Sequence, residues 1–130
     1  MQILQEAELA GFVHMDIAAD DPERAASFYH SVFGFAVTRL EGPEPYWLVT
    51  PPDGPGAGIG KRSLDWQKVT ATIDVADVDA TAAAVLAQGG RIVIPKTTIP
   101  GIGDLLTFED TEGNILAALQ AAPGNLFAEP

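Results

Sequence analysis

The chain contains no cysteine. Disulfides, thiolate metal sites and a cysteine nucleophile are therefore excluded. Basic residues are scarce, with 7 Lys and Arg against 18 Asp and Glu, for a formal net charge of −11. So acidic a surface cannot neutralise a phosphate backbone, and nucleic acid is not an expected partner. No apolar run approaches the roughly 20 residues that cross a bilayer, so no membrane partner is expected either. Met1–Glu8 has neither the basic start nor the apolar run of a signal peptide, which makes the cytoplasm the expected location. Serines lack a Gly-x-Ser-x-Gly setting, and the glycine-rich stretch Gly54–Gly60 lacks the Gly-Lys-Ser/Thr ending of a phosphate loop. Only two histidines are present, His14 and His30.

What the chain does have is size, core material and a repeat. Its 130 residues, 47% of them apolar, suit a single domain. Phe12–Ile17 alternates as a strand should, with His14 and Asp16 on one face. Asp21-Pro22 then opens a helix with an apolar stripe at Ala25, Phe28, Tyr29 and Val32, and Gly34 stops it. The same order returns in Lys68–Ile73, Asp77-Val78-Asp79 and Gly89, displaced by 56 residues from His14 to Thr70 and from Asp21 to Asp77. Strands are predicted at Phe35–Leu40, Tyr46–Thr50 and Ala57–Lys61 in the first copy. In the second they fall at Arg91–Ile94, Leu105–Phe108 and Asn114–Gln120, with Pro95–Gly103 as a rim or connecting loop. Each copy reads as βαβββ. Module one covers about 10–61, module two about 67–120, and 121–130 is a tail expected to pack loosely or be disordered. A sheet this small cannot bury its inner face alone, so the copies are expected to pair.

Candidate functional residues follow from strand phase. His14 is either a base in a cleft or a polar core residue satisfied by Asp16 or a backbone group. Asp16, Thr70, Thr72 and Asp74 share its predicted face and are candidates to bind a ligand. Tyr46, Trp47 and Phe108 lie on corresponding third strands and offer an aromatic wall. Neighbours on a strand face opposite ways, so only one of Tyr46 and Trp47 can belong to that wall.

The repeated βαβββ order, His14, the run Asp21-Pro22-Glu23-Arg24-Ala25 with Phe28-Tyr29 and Phe33-Gly34-Phe35, and the late Asp110-Thr111-Glu112-Gly113-Asn114 resemble the vicinal oxygen chelate superfamily. That group includes glyoxalase I, extradiol dioxygenases and bleomycin-resistance proteins. The resemblance implies an α+β fold of two βαβββ modules forming a cupped mixed sheet. It also implies four ligand positions for one divalent ion. The first is His14. The second is Thr70, where His or Gln is usual. The third falls near Gly58 or Gly60, and the fourth is Ala117, where Glu is usual. With one ligand of four, no metal cofactor is expected, since catalytic zinc takes about three protein ligands.

The expected function is therefore metal-free binding of a small organic molecule, as in bleomycin-resistance proteins, by a homodimer. The alternative is a lyase, isomerase or dioxygenase in which His14 and non-standard ligands hold zinc, nickel, manganese or iron. An epimerisation with His14 as a metal-free base is a further enzymatic form. Whether any reaction is catalysed stays open at this level.

Overall fold

A computed structural model describes residues 11–123. Eight strands and two helices occur among the described residues, in the order β1 (Gly11–Ala19), α1 (Pro22–Phe33), β2 (Ala36–Leu40), β3 (Tyr46–Thr50), β4 (Gly56–Lys61), β5 (Val69–Asp74), α2 (Val78–Ala87), β6 (Arg91–Ile99), β7 (Gly103–Glu109) and β8 (Ile115–Ala121). The fold is α+β with βαβββ used twice. Two compact units emerge, one of them His14–Ala71 and the other built mainly on residues from Thr72 onward.

In the first module β1 pairs parallel with β4, with Asp16 opposite Gly58, while β3 pairs antiparallel with β4 and with β2. Helix α1 starts where the Asp21 carboxylate accepts the backbone N–H of Arg24, and Pro22 stands in the first turn, where a missing N–H costs nothing. It ends at Gly34, whose φ of 74° is left-handed. The helix lays Ala26 on a core of Ala19, Val49, Ala57 and Ile59, joined by Ile17, Tyr29, Val37 and Trp47. All the strand members of this cluster lie on one sheet face, which leaves His14, Asp16 and Tyr46 on the other.

The second module repeats the scheme. Strand β5 pairs parallel with β8, and β7 pairs antiparallel with both β8 and β6. The Asp77 carboxylate accepts from the N–H groups of Asp79 and Ala80 and starts α2. Val78, Leu106 and Ala118 form its core, with Ala82, Ile92 and Phe108 packed against them. The turn Asp110–Gly113 is organised by one carboxylate: Asp110 accepts from the backbone of Glu112 and Asn114 and from the Asn114 amide. Those donors hold its pKa below the ordinary carboxylate value.

Two expectations change here. Pro95–Ile99 is not loop but the second part of β6, whose register shifts between Ile92 and Ile94 and again between Ile94 and Thr97. Bulges of this kind let a strand pass through a proline that cannot donate to the ladder. The predicted tail begins later as well, since β8 runs to Ala121; residues 124–130, and the N-terminal residues read for a signal peptide, lie outside the described residues. No helix among the described residues is long and apolar enough to cross a membrane.

Candidate active site: a tyrosine lodged over a glycine strand

The face of the first-module sheet opposite α1 carries a polar cluster. His14 is only 5% exposed. Its Nε2 lies 3.0 Å from the Tyr46 hydroxyl and 3.4 Å from Asp16 Oδ1. The Tyr46 hydroxyl donates to Asp16 Oδ1 at 2.8 Å. Tyr46 enters from β3, where it is paired with Gly60. Its ring crosses β4 with Cδ1 3.4 Å from where a Cβ on Gly60 would stand. One residue pair further, the hydroxyl occupies the space of a Gly58 side chain, so that a Cβ there would overlap it outright. Since Asp16 sits opposite Gly58 on β1, the hydroxyl arrives beside its carboxylate.

The direction of each hydrogen bond can be assigned. A carboxylate only accepts, so the proton between Tyr46 and Asp16 belongs to the phenol. The phenol has no second proton, so its contact with His14 requires the hydrogen on Nε2. The relay therefore runs from His14 to Tyr46 to Asp16. Burial pushes the Tyr46 phenol well above its ordinary value of 10.0, and the Asp16 charge and the hydrogen bond to Asp16 push it further. The phenol stays protonated at any physiological pH.

The other candidates fall elsewhere. Trp47 packs against the core under α1, with the Arg39 guanidinium 5.4 Å from its ring centre. Phe108 packs against the core under α2. Trp47 therefore lies on the sheet face opposite His14, and Phe108 faces α2 in its own module; within the first module the aromatic wall reduces to Tyr46. Thr70 and Asp74 are half-buried on β5, and Thr72 is 2% exposed. The Thr72 hydroxyl is buried without a hydrogen-bond partner among the described residues. Thr72 stands opposite Ala117, and Ala117 opposite Thr107. Repeat and register make Leu105 the counterpart of Tyr46, so the second module has no such relay.

The described residues at the four family positions do not fit the divalent ion that the family resemblance implies. Position 58 is filled by a phenol from another strand, His14 Nε2 is hydrogen-bonded to that phenol, and Ala117 brings no donor atom. Among the described residues no three His, Asp or Glu side chains come together.

Comparison with known proteins agrees with the fold. The family model of the Glyoxalase/Bleomycin resistance protein/Dioxygenase superfamily matches residues 11–117, and the chain belongs to that superfamily. A curated relative, "Putative glyoxylase CFP32" of Mycobacterium bovis, is 27% identical over 123 residues, covering 89% of this chain and 46% of the relative. The chain thus spans about half the length of that relative. Methylmalonyl-CoA epimerase from Mycobacterium tuberculosis superposes with a TM-score of 0.68 at 19% identity, over 87% of this chain and 89% of that one. A variant of the Streptomyces coelicolor methylmalonyl-CoA epimerase in complex with 2-nitronate-propionyl-CoA gives 0.69 at 17% identity, over 92% and 98%. At these identities the two structures speak for the fold alone.

Proposed function

We propose that this protein binds a small organic molecule at the His14–Tyr46–Asp16 surface and does so without a metal ion. The observation that carries the reading is the Tyr46 hydroxyl seated over Gly58 and bonded to both His14 Nε2 and Asp16. The proton of a phenol and the proton of an imidazole hold the histidine and the carboxylate together, a task that a cation performs where such residues ligate one. Half-exposed Asp16 and the edge of Tyr46 remain for a ligand.

A divalent-metal lyase, isomerase or dioxygenase is the competing reading, and one experiment separates the two. Untagged protein is incubated with zinc, nickel, manganese and iron(II), desalted and assayed for metal. The proposal expects no stoichiometric ion. An ion retained at about one equivalent and lost in His14→Ala overturns it, because a site of three ligands keeps its metal through desalting. The glyoxylase and epimerase names of the relatives supply reactions to assay in parallel. The homodimer expected from the sequence is part of the proposal and is read from sedimentation of the same sample.

A further inference from the structure

Helices α1 and α2 hold equivalent places in the repeat, yet their outer faces differ. Phe28, Val32 and Phe33 of α1 are 55%, 55% and 58% exposed. The 56-residue offset sets Ala84 and Gln88 of the second copy against Phe28 and Val32. Packing a helix on its sheet therefore does not require a large apolar residue at either place. The Phe28 ring is nonetheless held in position. It meets Tyr29 edge-on with ring centroids 5.3 Å apart, and Tyr29 packs against the core. Beside it on the same helix lies a shallow hollow lined by Asp21, Glu23, Arg24, Ser27, Phe28 and Ser31. The two serines keep its middle low and leave room for a ring. A projecting ring and a hollow that admits one thus sit side by side on one helix.

We propose that this face of α1 docks on a second copy of itself across a two-fold axis, each Phe28 entering the Ser27–Ser31 hollow of the other protomer. The inference rests on the homodimer proposed above and names its surface. A two-fold contact needs a self-complementary patch, in which one residue meets a second and the second meets the first. Phe28 and the serine hollow meet that requirement. Charge selects the same face. The chain carries −11, but no Asp or Glu falls between Glu23 and Glu41, while Arg24 and Arg39 do. Antiparallel copies of α1 set the acidic first turn of one, Asp21 and Glu23, over the acid-free end of the other, so like charges stay apart. Area agrees as well. The three exposed apolar side chains offer roughly 300 Å², set against about 450 Å² of apolar surface on one side of a standard interface. The contact lies across the sheet from His14, Asp16 and Tyr46, so the ligand surface of each first module stays open.

Sedimentation equilibrium of the intact chain over a wide concentration range tests the proposal, and a dimer is expected. Phe28→Ser should weaken association by about tenfold or more, since a buried aromatic anchor carries much of an interface's affinity. Val32→Lys should act in the same direction. Both side chains are exposed in the single chain, so the helix signal in circular dichroism should persist in each variant. Because the chain has no cysteine, a single introduced one is unique. Ser31→Cys treated with a short bis-maleimide should give a covalent dimer on a denaturing gel. Ala83→Cys, at an exposed position of α2, should not. A monomer at every concentration overturns both this surface and the homodimer, whether the face stays bare or other residues of the same chain cover it. A dimer that survives Phe28→Ser and Val32→Lys, or that cross-links in Ala83→Cys as readily as in Ser31→Cys, overturns this surface alone. The metal-free reading is decided separately, by metal retention.

Discussion

Replacing Gly58 by alanine probes the interlock more sharply than changing any polar group. Gly58 needs no left-handed backbone, so alanine suits its main chain, and the exchange alone would stabilise the strand by about 0.5–1 kcal/mol. Space is the obstacle. The new Cβ would overlap the Tyr46 hydroxyl and lie 2.6 Å from ring carbon Cε2. The ring must leave, and with it go the bonds to Asp16 at 2.8 Å and to His14 at 3.0 Å. Each lost bond is worth about 1 kcal/mol, and a buried donor left without its partner costs about 1–3 kcal/mol more. Asp16, 3.4 Å from the same His14 nitrogen, recovers part of that. The net expectation is a loss of about 2–4 kcal/mol, or roughly 10 °C in melting temperature for a domain of this size. Urea denaturation of a double-mutant cycle is the assay, with Gly58→Ala made in the native chain and in Tyr46→Ala. In the second background the methyl has room, and the substitution should be neutral or mildly stabilising. An equal cost in both backgrounds would show that Tyr46 does not occupy the space over Gly58, and the account of the site would fall with it.

Other consequences are simpler to measure. Tyr46→Phe should cost about 1–2 kcal/mol in urea, since one hydroxyl serves two partners. The pH dependence follows from the raised phenol: the unfolded chain releases this proton near pH 10.0 and the native one keeps it. The contribution of Tyr46 is therefore full below that pH and is lost as pH rises above it, so urea midpoints should fall more steeply at alkaline pH in the native chain than in Tyr46→Phe. Asp21→Ala, which removes the acceptor for the Arg24 N–H, should destabilise by about 1 kcal/mol, read from the thermal midpoint. Leu106→Ala, at a position 1% exposed under α2, should cost about 2–5 kcal/mol in urea because a packed interior collapses only partly around the void.

Much of the fold was legible because the repeat carries its own punctuation. Asp21 and Asp77 are caps, Gly34 and Gly89 are stops, and strand alternation placed His14 and Asp16 on one face. The β6 extension was not legible: Pro95 reads as a breaker unless bulges accommodate it, and bulges depend on the partner strand. Strand alternation allowed only one of Tyr46 and Trp47 on the wall, and Trp47 is the one on the helix side; Phe108, also named for the wall, packs under α2 instead. The relay was half visible. Gly58 and Gly60 were seen as positions with no side chain to offer a metal. Their second meaning, a channel across β4 for a ring from β3, needs the pairing of Tyr46 with Gly60. A sequence lists what a glycine lacks, while only register shows what fills the space.

That channel has a consequence for how the protein can change. A coordinating side chain at position 58 is not one substitution away, because Tyr46 already holds the space it would need. Altering Gly58 first passes through a chain with a displaced ring, and altering Tyr46 first passes through one with a severed relay. Both intermediates are less stable than either endpoint need be. The two positions are thus coupled in stability as well as in space, and a stepwise change from a phenol-held site to a metal-held one crosses a valley from either side.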